Sequence, residues 1–232
     1  MSHPSKLPRA PILCYVTDRK RLGSEDDDNI EALLKRVAIA AAAGVDWIQI
    51  REKDLSGKEL SSFIRAAFAQ TKQINERDGT LTRIIVNDRL DVALSEGTGG
   101  VHLGERSLPV QNVRDWLAAR SDVAGRDKFL VGVSCHSVQG AVNAARAGAD
   151  YIFFGPVFAT PSKAQFGAPQ GLQRLAEVCS SVTIPVLAIG GISVDNASDC
   201  FAAGAGGIAA IRLFQDAENL AALVSDLRAS FG

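Results

Sequence analysis

Two cations stand two residues apart in the stretch QIREKD. On an extended chain Arg51 and Lys53 project the same way, with Gln49 in step behind them. A guanidinium fork beside an ammonium suits a diphosphate, because both groups donate strong hydrogen bonds to phosphate oxygens. The alternative is that both cations are solvated and pair with Glu52 and Asp54.

Other chemistry-bearing residues also follow apolar runs. Asn87 can hydrogen-bond a ligand and Asp88 can ligate a hard cation such as Mg2+, although an Asn-Asp pair is equally typical of a turn or helix cap. In GVSCHS, Ser134 can donate to a ligand and His136 is a candidate acid/base near neutral pH. The alternative is that Ser134 or Ser137 caps the next helix.

The longest connection is GPVFATPSKAQFGAPQG, residues 155–171. It brings the hydroxyls of Thr160 and Ser162 and the ammonium of Lys163 into a segment rich in Gly and Pro. Loops of this length in compact domains are usually functional. We therefore expect a lid that contacts phosphate.

Two further segments, AIGGIS and AIRLFQ, are typical of anion sites. Gly190 and Gly191 allow a backbone to approach an anion closely, and Arg212 adds a cation, unless it forms a salt bridge outward. These groups predict one or two small substrates that carry phosphate and diphosphate.

The elements that position these residues alternate between apolar runs and segments with helical spacing. Most runs are continuous, as expected for strands buried on both faces of a parallel sheet. The predicted strands span residues 12–18, 46–52, 83–88, 100–104, 129–134, 151–157, 185–191 and 207–213. Counting 89–97 as the third helix gives eight βα units, which predicts a (β/α)8 TIM barrel, an α/β fold whose active site lies at the C-terminal strand ends. An open doubly wound sheet is the alternative.

We predict a disordered lead-in over residues 1–11 and a single barrel domain over 12–232.

Composition restricts the class of partner. The 232 residues carry a net charge of −1, which provides no basic field for nucleic acid. The apolar runs fall far short of the roughly 20 residues of a membrane span. The four cysteines form no Cys-x-x-Cys pair, so we expect unpaired thiols and a cytoplasmic protein. The sequence leaves the oligomeric state open and is compatible with a homo-oligomer.

An ordered set of motifs resembles one family. YVTDR, QIREKD, VNDRLDVAL, GVHLGE, GVSCHS, GPVFATPSK and PVLAIGGI follow one another at spacings similar to those of the thiamine phosphate synthase family and its close relative, the thiazole tautomerase of the TenI group. The resemblance implies an enzyme that joins hydroxymethylpyrimidine diphosphate to thiazole phosphate and releases diphosphate by a dissociative mechanism.

The resemblance also implies roles for individual residues. Asp88 would ligate Mg2+, and Ser134 and Lys163 would contact the diphosphate. The pyrimidine diphosphate would be held by Gln49, Arg51, Lys53 and Asn87. The thiazole phosphate would be held by Thr160, Ser162, Gly191, Ile211 and Arg212.

Two positions depart from the family pattern. Ser107 stands where the synthases normally have Asp as a second Mg2+ ligand, and Arg212 stands where they usually have Ser. Loss of the metal site is compatible with the tautomerase, whose acid/base corresponds to His136. A non-catalytic barrel that binds a thiamine precursor is a third alternative. Mg2+ dependence separates the synthase from the other two.

Overall fold

The computed structural model describes residues 11–23, 26–104, 106–120, 128–160 and 168–231, without the side chains of 26–28. Eight parallel strands pair in chain order, and the eighth pairs with the first to close a barrel. The strands are β1 Ile12–Val16, β2 Trp47–Ile50, β3 Arg83–Asn87, β4 Gly100–Leu103, β5 Leu130–Cys135, β6 Tyr151–Phe154, β7 Val186–Ile189 and β8 Gly207–Ala210. The predicted TIM barrel is confirmed and the open sheet is excluded.

Helices follow the strands on the outside of the barrel. In the described ranges they are α1 Asp26–Ala42, α2 Gly57–Asp78, α3 Leu90–Ser95, α4 Val110–Ala119, α5 Val138–Arg146, α6 Gly171–Ser181, α7 Val194–Ala202, α8 Arg212–Gln215 and α9 Leu220–Ala229. A short 3-10 turn, Arg19–Arg21, follows β1. The predicted third helix exists, whereas the predicted eighth strand ends early because Arg212 begins the unpredicted short helix α8.

Two layers of apolar side chains explain why the strands read as continuous runs. Along β1, Cys14 faces a cluster inside the barrel, whereas Leu13 and Tyr15 belong to the layer between strands and helices. Both layers are almost fully buried. A strand with both faces covered needs apolar residues at every position, so alternation disappears.

Aspartates at the N-terminal end of the barrel tie neighbouring strands together. The Asp46 carboxylate accepts from the backbone N–H of Leu13 at 2.7 Å and from Arg228 at 2.6 Å. In the same way Asp150 accepts from the N–H of Val131 at 2.8 Å. These contacts lie at the end of the barrel opposite the candidate site.

The predicted lead-in falls, apart from Pro11, outside the described residues, and the division into a lead-in and one barrel domain stays a prediction. No helix in the described ranges has both the length and the apolar character needed to cross a membrane.

Candidate active site at the barrel mouth

The first pair of predicted residues meets at the C-terminal ends of β2 and β3. The Gln49 amide, in a residue only 2% exposed, donates to the Asn87 side-chain oxygen at 2.9 Å. Because Trp47 faces the barrel interior, Gln49, two residues further on, faces it too. The pair therefore lies at the bottom of the candidate site, and the loops that follow the strands surround it.

Arg51 lies half-buried just beyond β2, and Lys53 is exposed. The Arg51 backbone N–H donates to the hydroxyl of Thr17 at 3.0 Å. In the described part of the chain, no carboxylate forms an ion pair with the Arg51 guanidinium. Glu52 and Asp54, the partners considered in the alternative interpretation, instead contact the loop after β1.

Asp88 has an unusual backbone. Its φ of 68° is in the left-handed region, and it is the only such non-glycine residue in the described ranges. This conformation costs of order 1 kcal/mol, and such strain concentrates at functional sites. The turn is held by the Asp88 N–H donating to the carbonyl of His102 at 2.8 Å and by Arg89 N–H donating to the carbonyl of Asn87 at 2.8 Å. The Asp88 side chain is exposed at the mouth.

The donor set around Asp88 fits Mg2+ only together with a substrate. The described residues contain no cluster of three or more His, Cys, Asp or Glu side chains able to hold a metal. Ser107 does not replace the missing carboxylate, since its hydroxyl accepts from the N–H of Gly104 at 2.7 Å. Glu105 lies outside the described residues. Mg2+ commonly uses one or two carboxylates plus substrate phosphates and water, which Asp88 and a diphosphate can supply.

Ser134 belongs to a buried polar chain inside the barrel. His102, only 2% exposed, lies 2.9 Å through Nε2 from the Ser134 hydroxyl and 3.2 Å through Nδ1 from the Tyr151 hydroxyl. Burial lowers the pKa of His102 to about 3, so the imidazole is neutral at pH 7. Ser134 is therefore a positioned hydroxyl and does not cap a helix; Ser137 does, accepting from Gly140 N–H at 3.0 Å.

His136 lies one residue beyond β5 and is exposed. Its Nδ1 contacts the carbonyl oxygen of Gly155. Because a carbonyl only accepts, Nδ1 carries the proton, and a neutral ring then has its lone pair on Nε2. A ring held this way can accept a proton through Nε2.

The loop after β6 packs against the loop after β7. Val157 N–H donates to the carbonyl of Ile189 at 2.9 Å and Phe158 N–H to that of Gly190 at 3.0 Å. A Cβ on Gly190 would lie 2.6 Å from Pro156, and one on Gly191 2.6 Å from the Ala159 carbonyl oxygen. Both glycines are thus required by loop packing, a reason that the sequence did not reveal.

Thr160 is half-buried where that loop leaves the β7 loop. Ser162 and Lys163 lie outside the described residues. On the far side, Ile211 packs against the inner cluster, and Arg212 is exposed as the first residue of α8. No carboxylate within the described ranges pairs with Arg212, so the alternative of an outward salt bridge is not observed there.

Several residues around the site were not anticipated. His102 reads as part of an apolar run in GVHLG, and the available signal was its inward-facing position, in register with Asn87. Thr17 and Arg19 are distant from the QIREKD segment in the sequence and contact it only in the folded protein. To anticipate these contacts, one would have to know that β1 pairs with β2.

The fold and site define a class: a (β/α)8 barrel whose mouth collects cations, a strained carboxylate and positioned hydroxyls, as expected of an enzyme acting on phosphorylated small molecules. The sequence profile described as thiamine monophosphate synthase matches residues 13–214, and the chain belongs to that family.

Relatives and a solved structure agree with this assignment. The thiamine-phosphate synthase of Methanoculleus marisnigri is 43% identical over 190 residues, covering 82% of this chain and 83% of that protein. That of Methanocella arvoryzae is 42% identical over 196 residues, covering 84% and 85%. The structure of a thiamine phosphate pyrophosphorylase from Pyrococcus furiosus superposes with a TM-score of 0.76 at 30% identity, covering 98% of this chain and 96% of that one.

Proposed function

We propose that this chain is a thiamine-phosphate synthase, a transferase that joins hydroxymethylpyrimidine diphosphate to thiazole phosphate. The bond between the pyrimidine methylene carbon and a diphosphate oxygen breaks, and its electron pair leaves with the diphosphate. The lone pair of the thiazole nitrogen then bonds to the same carbon. The observation that carries the proposal is the group at the ends of β2 and β3, where the Gln49–Asn87 pair adjoins Arg51 and Asp88.

In this mechanism the chain stabilises a leaving group. Charge develops on the diphosphate as the bond breaks, and fixed cations in a low-dielectric site stabilise that charge strongly. Arg51, Lys53 and Lys163 are the proposed cations. Ser134 adds a neutral donor: if the Tyr151 hydroxyl donates to His102, the imidazole donates to Ser134 and the serine proton remains for the diphosphate.

Asp88 would hold Mg2+ bound to the diphosphate. When bound, Mg2+ neutralises charge on the leaving group. Asn87 and Gln49 would orient the pyrimidine ring, because their amides offer donors and acceptors next to the bond that breaks.

The thiazole phosphate would bind on the opposite rim. Thr160 and Ser162 would donate hydroxyl hydrogen bonds, and the backbone at Gly191 and Ile211 would contact the other side of the phosphate. Arg212 would add a charge-assisted hydrogen bond where the family usually has Ser. This arrangement brings the nucleophilic nitrogen towards the diphosphate site.

A second candidate function is favoured by a specific observation. His136 is exposed, with Nδ1 held by the Gly155 carbonyl and Nε2 available to move a proton. That is what a thiazole tautomerase needs, and the absence of Asp at position 107 is compatible with it. A tautomerase, however, has no use for the cationic diphosphate cradle around Arg51.

A paired assay separates these functions. Purified protein is supplied with each set of precursors, with and without Mg2+, and thiamine phosphate and the aromatised thiazole are measured separately. We expect Mg2+-dependent thiamine phosphate, lost in Asp88→Ala and retained in His136→Ala. Metal-independent aromatisation lost in His136→Ala would identify a tautomerase, and binding without turnover would identify a non-catalytic barrel.

The proposed partners are small phosphorylated molecules and not nucleic acid. A cytoplasmic location, expected from the unpaired cysteines, and a homo-oligomeric state both stay predictions.

A further inference from the structure

The segment after β2 is clamped by the loop after β1. The Glu52 side chain is only 2% exposed, and its two oxygens accept from the Thr17 hydroxyl at 2.6 Å and from the Arg19 N–H at 3.1 and 3.3 Å. The Arg19 guanidinium adds a contact at 3.4 Å. Thr17 also accepts from the Arg51 N–H, so one buried hydroxyl fixes both consecutive residues.

Arg19 engages a second carboxylate on the same segment. Its guanidinium forms a two-pronged contact with Asp54, at 2.6 and 3.1 Å, and Lys20 reaches Asp54 at 2.8 Å. This pairing holds the pKa of Asp54 well below its usual range. Glu52 and Asp54, the two acidic residues of this segment, are therefore both paired with cationic side chains of the loop after β1.

The pairing of Glu52 and Asp54 with the loop after β1 changes the electrostatic surroundings of Arg51. A guanidinium next to Glu52 and Asp54 in sequence has two nearby carboxylates that compete with a substrate anion. In the structure they face Arg19, and the described ranges contain no carboxylate paired with Arg51.

The clamp is not arranged for stability alone. Arg19 is 6% exposed, and its buried Nε has no hydrogen-bond partner among the residues that the structure describes. An unsatisfied buried donor is costly, and such groups in a native structure call for an explanation. An apolar contact between the two loops would avoid that cost, but it would not keep Glu52 and Asp54 away from Arg51.

From these contacts we infer that Thr17, Arg19 and Glu52 are positioning residues for diphosphate binding: they hold the segment after β2 with Arg51 directed to the anion and its neighbouring carboxylates turned away. The inference rests on the proposed function of Arg51. It assigns to the loop after β1 a role in substrate affinity that acts through the position of the segment after β2.

The test compares two Arg→Met variants. Arg19→Met breaks the clamp, and Arg228→Met breaks the 2.6 Å contact with Asp46 at the opposite end of the barrel. Binding of inorganic diphosphate with Mg2+ is measured by titration calorimetry. KM is then measured for each substrate.

We expect Arg19→Met to weaken diphosphate binding and to raise the KM for the pyrimidine diphosphate at least tenfold, with the KM for thiazole phosphate within twofold of wild type. Arg228→Met is expected to bind diphosphate as wild type does. Unchanged binding in Arg19→Met, or equal weakening in both variants, would overturn the inference. Failure of the wild type to bind diphosphate would instead reject the proposed function, and the inference with it.

A second pair of variants covers the case in which Arg19→Met does not fold. Thr17→Val removes the hydroxyl while keeping the shape, and Thr17→Ser restores it. We expect Thr17→Val to weaken diphosphate binding and Thr17→Ser to recover it to within threefold of wild type. Equal affinity in the two would contradict the inference.

Discussion

Lowering the pH from about 7 to about 5 is expected to destabilise the protein by about 2 kcal/mol through His102 alone. Burial lowers the pKa of His102 to about 3 from an ordinary 6.5, so the unfolded chain takes up a proton in this range and the folded chain does not. The contribution is therefore fully present above the unfolded pKa and is lost as the pH falls between about 6.5 and about 3. Each pH unit inside that window costs about 1.4 kcal/mol.

Urea unfolding at several pH values between about 5 and 7 measures this slope. His102→Gln removes the titrating ring, so its loss of stability between about pH 7 and about pH 5 is expected to be smaller than that of wild type by about 2 kcal/mol. Tyr151→Phe is the matched control, since it deletes the hydroxyl contact at 3.2 Å but leaves the ring buried. That variant is expected to be less stable at every pH with an unchanged slope. A slope in His102→Gln equal to that of wild type would refute the reasoning.

Three further predictions concern packing, the strained turn and the base of the barrel. Gly132→Ala places a Cβ 2.0 Å from the Tyr151 ring and is expected to cost about 1–3 kcal/mol, read from the denaturant midpoint. Asp88→Asn is expected to change stability by less than about 0.5 kcal/mol, because Asn tolerates the left-handed backbone, while Mg2+-dependent turnover falls at least about tenfold. A loss of stability above about 2 kcal/mol with turnover intact would contradict the assignment of Asp88. Asp46→Ala removes the side-chain acceptor of the Leu13 N–H and the carboxylate partner of Arg228. It is expected to cost about 1–3 kcal/mol in thermal or urea unfolding, without changing the KM of either substrate.

Much of the barrel follows from local pattern. Continuous apolar runs predicted strands buried on both faces, and the structure confirms those strands. The prediction that Arg51 and Lys53 project the same way as Gln49 stays a prediction. The eighth strand was predicted to extend to residue 213, but it ends at Ala210. The prediction was too long because Leu213 and Phe214 continue an apolar pattern that is equally compatible with the short helix α8. Apolar runs alone do not distinguish a strand end from a buried helical turn.

Residues that follow predicted strands could be proposed for the site from the sequence, whereas contacts that join different strands could not. Asn87 and Ser134 were proposed as site residues from their position in the sequence. His102, which contacts Ser134, was not, because the apolar run around it outweighed the one signal available, its inward-facing position. The sequence offered Glu52 as a partner for Arg51. The fold gives Glu52 to Arg19, which lies 33 residues away and is brought close only by pairing of β1 with β2.

The proposed reaction releases diphosphate while it forms thiamine phosphate. Phosphorus NMR of the purified protein with both substrates and Mg2+ tests this directly. We expect equal amounts of free diphosphate and thiamine phosphate, formed together and only when the thiazole phosphate and Mg2+ are both present. A thiazole phosphate that is consumed or aromatised while the pyrimidine diphosphate signals stay unchanged would contradict the proposed reaction.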